Sequence, residues 1–438
     1  MCYAFGTKIR RRWFSMKRNA MQDLVQWKND EERKPMVLKG ARQVGKTWIM
    51  KEFGRQYYEN YVYFNFDEEE ELKSIFETNK NPHRIVELLS MIAEVKILPE
   101  KTLLIFDEIQ ECPEALNTLK YFKEKANEYH VIAAGSLLGT LLAKPKSYPV
   151  GMVNLLEIAP LTFDEFLQAT EESLYLYYKE IKKEQRIEEI FHNRLLDVYN
   201  NYLIIGGMPE CVLQFAQTRD YILIRNTQDT ILASYLNDMS KYNTLNEIKK
   251  TRLAYDNITV QLSKKNTRFQ YKLIKKGGRA SEFENAIEWL CLSGIVSQVY
   301  KVDQVKKPLE NYRDIDAFKI YISDLGLLCA KKDLLANDIL YMVEELNDFK
   351  GGMTENYVQV QLCMNGYKTY YWESERGAEI DFVIQREGKL IPIEVKAADN
   401  TKAKSLKIYM DKYKPAYAIK LTAKNFGYED GKKQVPLY

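Results

Sequence analysis

The chain has 438 residues, 46% of them apolar and 29% charged, which excludes a disordered or fibrous protein and leaves length for two to four domains with their own cores. Lys and Arg total 64 against 61 for Asp and Glu, a formal charge of +3, so bulk charge does not demand a nucleic-acid partner and only a local patch could serve one. There is no apolar run near the roughly 20 residues of a membrane span, no apolar signal segment and no C-x-x-C pair, which points to a cytoplasmic protein with reduced thiols and no membrane partner.

The N-terminal stretch is locally basic (Lys8, Arg10, Arg11, Arg12, Lys17 and Arg18), and residues 1–15 read as a non-structural extension, because the patterned sequence starts just after Met16; Met1 and Met16 both stay open as the start. "PMVLK" (35–39) then reads as a short strand, followed by a Gly-rich turn and an amphipathic helix. "YVYFNF" (61–66), "TLLIFDE" (102–108) and "HVIAAGS" (130–136) read as further strands, with helices between them. The second and third of these are continuous apolar runs, as expected of strands buried on both faces of a parallel sheet. The alternation predicts an α/β domain over 16–165.

Residues 166–245 read as a helical lid or connector, broken at "IIGGMPE" (204–210). Over 246–335, helices precede two strand-like pieces, 295–302 and 317–324, a pattern that suggests a winged helix. Ser281 and Glu284 have the spacing of a capping box for the helix ending at Gly294. Residues 336–438 read as helix, strands, helix, strand.

"GARQVGKT" (Gly40, Ala41, Arg42, Gln43, Val44, Gly45, Lys46, Thr47) fits G-x-x-x-x-G-K-[ST] between a strand and a helix, the pattern of a nucleotide phosphate loop. Its glycines let backbone N–H groups curl toward phosphate oxygens, and the helix N-terminus adds partial positive charge. Lys46 would reach the β- and γ-phosphates of ATP and Thr47 would ligate Mg²⁺. Asp107 is the candidate Mg²⁺ holder, Glu108 the candidate base for the attacking water, and Ser136 the candidate γ-phosphate sensor.

E-x-K recurs along the chain, so Glu394-x-Lys396 carries weight only through its setting. It lies on a strand, "LIPIEVK", after another strand, "AEIDFVI", in which Ile380, Phe382 and Ile384 are expected on one face and Glu379 and Asp381 on the other. Asp381 and Glu394 can then converge on a hard cation, Mg²⁺ or Mn²⁺, with Lys396 beside them. The plain alternative is an exposed Glu–Lys pair on a hairpin. A second basic set, Lys264, Lys265, Arg268, Lys272, Lys275, Lys276 and Arg279, suits phosphate contacts with DNA or RNA.

These motifs, with "LEIAPLTFDEFL", "FKIYISDLGLL" and "ERGAEIDFVI", resemble the AAA-type predicted prokaryotic ATPases of the AAA+ superfamily, whose C-terminal half is a domain of unknown function. The resemblance implies a P-loop NTPase parallel sheet, a helical and winged-helix middle region, and an α/β C-terminal core like that of PD-(D/E)xK restriction endonucleases. It also implies ATP hydrolysis by Lys46, Thr47, Asp107 and Glu108, completed across the interface of a homo-oligomer. Lys396, Asp381 and Glu394 would form the catalytic set of the second core, with Glu355 on the preceding helix as a fourth, metal-holding member, and "EID" replaces the usual Pro-Asp. Many relatives carry a basic residue where this chain has Met152, and Arg225 is the substitute considered for an arginine finger. Two functions stay open: an ATPase coupled to a nuclease-like domain, or a nucleotide-dependent switch or scaffold whose C-terminal domain is inactive and binds a partner protein or DNA.

Overall fold

A computed structural model describes residues 16–136, 138–139, 151–182, 185–241, 244–262, 268–340, 346–397 and 404–438. The expected extension 1–15, Lys264 and Lys265 lie outside these residues. Among the described residues no helix is long and apolar enough to cross a membrane.

The first half is built on five parallel strands: β1 (Met36–Lys39), β2 (Asn60–Asn65), β3 (Thr102–Asp107), β4 (His130–Ala134) and β5 (Asn154–Glu157). Their order is β2-β3-β4-β1-β5. β3 and β4 are buried at every position, as their unbroken apolar runs require. This order puts the C-terminal ends of β1, β4 and β3 side by side, which is where an open α/β sheet collects its ligand groups. Pro113 opens the helix Pro113–Lys125, where its missing N–H costs nothing.

Helices then run from Phe163 to Leu262. The first, Phe163–Thr170, carries a capping box that sequence reading overlooked: Thr162 accepts from the Glu165 N–H and Glu165 accepts from the Thr162 N–H. The box expected at Ser281 and Glu284 does not form. The helix Ala280–Leu292 begins two residues earlier than that cap requires, with Arg279 as an uncapped N-cap, which leaves Ser281 inside the first turn. The end near Gly294 is as expected: that residue sits at φ +72°.

The second sheet has eight strands: β6 (Val296–Val302), β7 (Arg313–Ile322), β8 (Thr369–Glu373), β9 (Glu379–Arg386), β10 (Lys389–Lys396), β11 (Ala418–Thr422), β12 (Gly427–Glu429) and β13 (Lys432–Pro436). Their order is β12-β13-β11-β10-β9-β8-β6-β7. β8, β9 and β10 are antiparallel neighbours, and β11 runs parallel to β10. The pair expected as a wing, β6 and β7, forms an edge of this sheet, because β6 pairs in parallel with β8 at Tyr300–Tyr370 and Lys301–Tyr371. The sheet therefore extends across residue 335. The helix Asn347–Met364 lies across β7, β8 and β10, and the helix Lys404–Tyr413 packs on β9.

One apolar core runs from Leu24 under the first sheet, through the middle helices, to Phe382, Ile384, Ile391 and Ile393 of the second. The strict alternation expected in β9 fails. Ile380 and Val383 belong to a separate core with Trp372 and Tyr409, while Phe382 and Ile384 join the main one. The cause is a register shift: Tyr370 pairs with Val383 but Trp372 pairs with Ile380, so β9 spends three residues where β8 spends two. Such a bulge re-aims a side chain, and here it falls at Asp381.

Candidate functional site

At the end of β1 the backbone enters a conformation reserved for glycine. Gly40 has φ +149°, and a Cβ there would lie 2.0 Å from the Ile158 carbonyl oxygen. Gly45, at φ +92°, is the N-cap of the helix Lys46–Tyr57. The loop thus presents successive N–H groups and a helix N-terminus to one hollow. Lys46 is only 7% exposed. Its Nζ donates to the carbonyls of Gly40 at 2.9 Å and Ala41 at 2.8 Å. Burial pulls its pKa down to about 8, against the raising influence of Glu108 and Asp107.

The Thr47 hydroxyl donates to Asp107 Oδ2 at 2.6 Å, and the Tyr63 hydroxyl donates to the same oxygen at 3.0 Å. Glu108 stands in the left-handed region at φ +47°. Its Oε2 accepts from Gln110 Nε2 at 2.5 Å and from the Ser136 hydroxyl at 3.2 Å. All of Gly40, Ala41, Arg42, Gln43, Val44, Gly45, Lys46, Thr47, Asp107, Glu108 and Ser136 therefore lie on three adjoining strand ends. Sequence reading missed Tyr63 and Gln110, although Tyr63 lies on β2, the strand next to the acidic one. It also read Arg18 as part of a basic tail. Arg18 is 6% exposed, with Nη1 donating to Val44 O at 3.0 Å, Nη2 to Ala159 O at 2.6 Å and Nε to Glu165 Oε1 at 3.2 Å. It braces the loop from beneath. Arg225 is engaged within its own chain: Nη2 donates to Leu334 O, and Nη1 lies 3.7 Å from Asp333 Oδ1.

Three further contacts tie the loop to segments beyond residue 220. Arg42 pairs with Asp238 of the helix Tyr221–Lys241. The Tyr235 hydroxyl of that helix donates to Arg42 O at 3.3 Å. Gly294, just past the helix Ala280–Leu292, lies so close to the loop that a Cβ there would stand 3.0 Å from Ala41 N. Farther on, Asp324 is buried and accepts the N–H groups of Gly207 at 2.7 Å and Leu327 at 2.9 Å. That latch explains the pairing of "IIGGMPE" with "ISDLGLL". Burial raises the Asp324 pKa to about 6, opposed by its backbone donors.

The second constellation gathers on one side of the second sheet. The Asp381 Oδ2 accepts from Val395 N at 2.7 Å, which ties β9 to β10 beyond their last paired residues. Lys396 Nζ lies 2.5 Å from Glu394 Oε1. Glu394 is 4% exposed. Its Oε2 is buried without a hydrogen-bond partner. Glu355 Oε1 accepts from Lys319 Nζ at 2.8 Å and from the Tyr321 hydroxyl at 2.5 Å. Lys319 also pairs with Glu379. Burial raises the Asp381 pKa well above the carboxylate range, helped by the charges of Glu355 and Glu394 and opposed by Lys319. Glu394 is also raised by burial, with Lys396 opposing. Among the described residues no three carboxylate, His or Cys side chains stand ready-made as a metal cage. The orphaned Glu394 Oε2 beside Asp381 is nonetheless a hard oxygen of the kind a divalent cation takes. Lys319 and Tyr321 were not foreseen; their strand had been read as a wing.

An open groove is lined by Arg268, Tyr271, Lys272 and Arg279. Arg268 Nη2 donates to Asp316 O at 2.6 Å, and Phe269 N donates to Phe318 O at 2.8 Å, next to Lys319. Tyr371 lies within electrostatic reach of Lys319, Glu379 and Arg268 alike. Lys275 turns instead to Glu282, 3.3 Å away.

Comparison with known proteins finds an AAA-like domain around the phosphate loop and leaves the second constellation open. A family model described as an AAA domain matches residues 32–167. Models described only as domains of unknown function, DUF8612 and DUF4143, match residues 196–338 and 350–438. An uncharacterized protein of Methanocaldococcus jannaschii is 24% identical over 414 residues, covering 90% of this chain and 82% of that protein. A Walker-type ATPase of Pyrococcus abyssi has a TM-score of 0.48 at 12% identity, covering 72% of this chain and 96% of the other. The ORC2 protein of Aeropyrum pernix, solved with ADPNP and ADP, has a TM-score of 0.34 at 13% identity, covering 74% and 90%. Over residues 32–167, which hold the phosphate loop, Asp107, Glu108 and Ser136, the chain is thus similar to AAA domains.

Proposed function

We propose that the chain is an ATP-hydrolysing protein that couples nucleotide state to metal-dependent cleavage of DNA or RNA by a PD-(D/E)xK-like C-terminal domain. The observation that carries the coupling is Gly294. It sits against Ala41 of the phosphate loop, and the chain passes directly from it into β6. β6 in turn pairs with β8, next to the strands of Asp381 and Glu394.

In the nucleotide site the N–H groups of 40–47 cradle phosphate, and Lys46 leaves its two carbonyls to meet the β- and γ-oxygens. Thr47 and Asp107, already in contact, would hold Mg²⁺, which supplies charge neutralisation. Glu108, steadied by Gln110 and Ser136, orients the attacking water. Copies of the chain would complete the site between them, as a homo-oligomer. In the C-terminal site Asp381 and Glu394 would hold Mg²⁺ or Mn²⁺, which lowers the pKa of water, and Lys396 stabilises charge developing on the scissile phosphate. The groove of Arg268, Lys272 and Arg279 would hold the nucleic-acid backbone through charge.

The test is cleavage of labelled single- and double-stranded DNA and RNA with Mn²⁺, with and without ATP. The expected result is cleavage that disappears in Asp381→Ala and changes with ATP only where Lys46 is intact. No cleavage above the Asp381→Ala control on any substrate overturns the nuclease reading. The switch or scaffold reading then stands, and one observation already favours it: Lys319 neutralises Glu355 and Glu379 from within, as a purely structural ion cluster would.

A further inference from the structure

Lys319 is 1% exposed, an unusual place for an ammonium. It comes from β7, the far edge of the sheet, and reaches Glu355 on the helix Asn347–Met364 and Glu379 at the start of β9. Tyr321, two residues along the same face of β7, donates to the same Glu355 oxygen. Two groups of one strand thus fix one carboxylate oxygen, and a buried carboxylate so held is not easily turned toward another cation. Asp381 and Glu394 are held differently. Asp381 takes a backbone N–H through Oδ2, Glu394 takes Lys396 through Oε1, and Glu394 Oε2 is buried with no partner.

Charge leads to the same division. The cluster holds four carboxylates (Glu355, Glu379, Asp381, Glu394) and two ammoniums in contact with them (Lys319, Lys396), while a third ammonium, Lys420, acts on Glu394 from farther off, so with all ionised one negative charge is left over. One divalent cation more than offsets that deficit. A second would stand beside an ammonium that cannot move away, since Lys319 is packed on all sides.

We propose that Lys319 is a built-in second cation: its ammonium keeps Glu355 and Glu379 off the metal position, so the site takes one divalent ion, on Asp381 and Glu394. The inference rests on the metal-binding reading of the C-terminal domain, and it makes Lys319 a positioning residue. It also predicts a one-metal rather than a two-metal mode of phosphodiester chemistry.

The test is a count of bound Mn²⁺ on the full chain without nucleotide, by electron paramagnetic resonance, with Asp381→Asn subtracted as background. One Asp381-dependent ion per chain, with an uncoupled spectrum, is expected. Lys319→Met should raise the count to two and add the signature of a spin-coupled pair, while Lys319→Arg should keep it at one. Two Asp381-dependent ions in the wild type overturn the role of Lys319 and leave the nuclease reading standing. No Asp381-dependent ion overturns the metal reading itself, and this inference with it. A folded Lys319→Met that still binds one ion also overturns it; should that variant not fold, the wild-type count decides.

Discussion

At the phosphate loop eight consecutive residues dictate the backbone, and the polar groups around it reach short distances from neighbouring strand ends. The acidic cluster instead draws Lys319 from β7, Glu355 from a helix, Asp381 from β9 and Glu394 from β10, and two of its four carboxylates, Glu355 and Glu379, close on a buried ammonium. The first site has functional groups that the fold can lose. The second has groups on which the fold itself depends. The comparison breaks if substitutions in the two places have similar consequences.

The largest effect is expected at Glu355. Glu355→Ala leaves Lys319 buried with Glu379 alone, and an under-compensated buried charge costs about 3 kcal/mol. Urea denaturation should show a large drop in midpoint; an unchanged midpoint would mean that the cluster tolerates loss as a surface pair does. The latch between Asp324 and the turn at Gly207 should show itself through pH. Asp324 has a folded pKa of about 6, above its unfolded value, so its stabilising contribution is present below about pH 4 and is lost as pH rises through 6. The wild type minus Asp324→Asn stability difference should therefore fall by up to about 3 kcal/mol between pH 4 and 7. A difference that is flat with pH would mean the carboxyl is not desolvated.

This contrast also sets what could be read in advance. The phosphate loop, β1 to β4 and the acidic strand end were legible because each is a local pattern: Gly40 and Gly45 announce a special backbone, and "LLIFDE" announces a buried strand ending in charge. Glu394 with Lys396 was legible through period-two alternation. Asp381 was legible as a residue but not in its setting, since a bulge in β9 depends on β8 pairing out of step. Lys319 was hidden for a related reason. Nothing in "AFKIYISD" says that its lysine points inward, because that requires β6 and β7 to join β8 rather than stand as a wing. Arg18 looked like any basic residue of a charged N-terminal stretch until its three acceptors were assembled around it.

At the loop itself, Lys46→Ala removes a charge-assisted contact with phosphate worth about 2–3 kcal/mol. Nucleotide affinity measured by calorimetry should fall about 100-fold. Stability of the nucleotide-free chain should hold or rise, because the lost ammonium is desolvated and has only two carbonyls for partners. A loss of stability comparable to that of Glu355→Ala would erase the distinction between the two sites.

The smallest effect is the most informative about what joins them. Gly294 adopts φ +72°, a region that costs a residue with a Cβ about 1 kcal/mol. Gly294→Ala also presses a methyl group toward Ala41 N. Both effects fall on the contact between loop and sheet and on neither set of functional groups. Binding free energies are reciprocal: if ATP changes the Mn²⁺ affinity of the C-terminal site by some factor, Mn²⁺ must change ATP affinity by the same factor. Gly294→Ala should move that factor toward one while shifting each separate affinity only a few-fold, as read by titrating ATP with and without Mn²⁺ at the second site. If the wild type shows no such factor, the contact at Ala41 is packing without communication. If the variant keeps the wild-type factor, the coupling runs instead through Arg42 and Asp238, and the same titration on Asp238→Asn would find it.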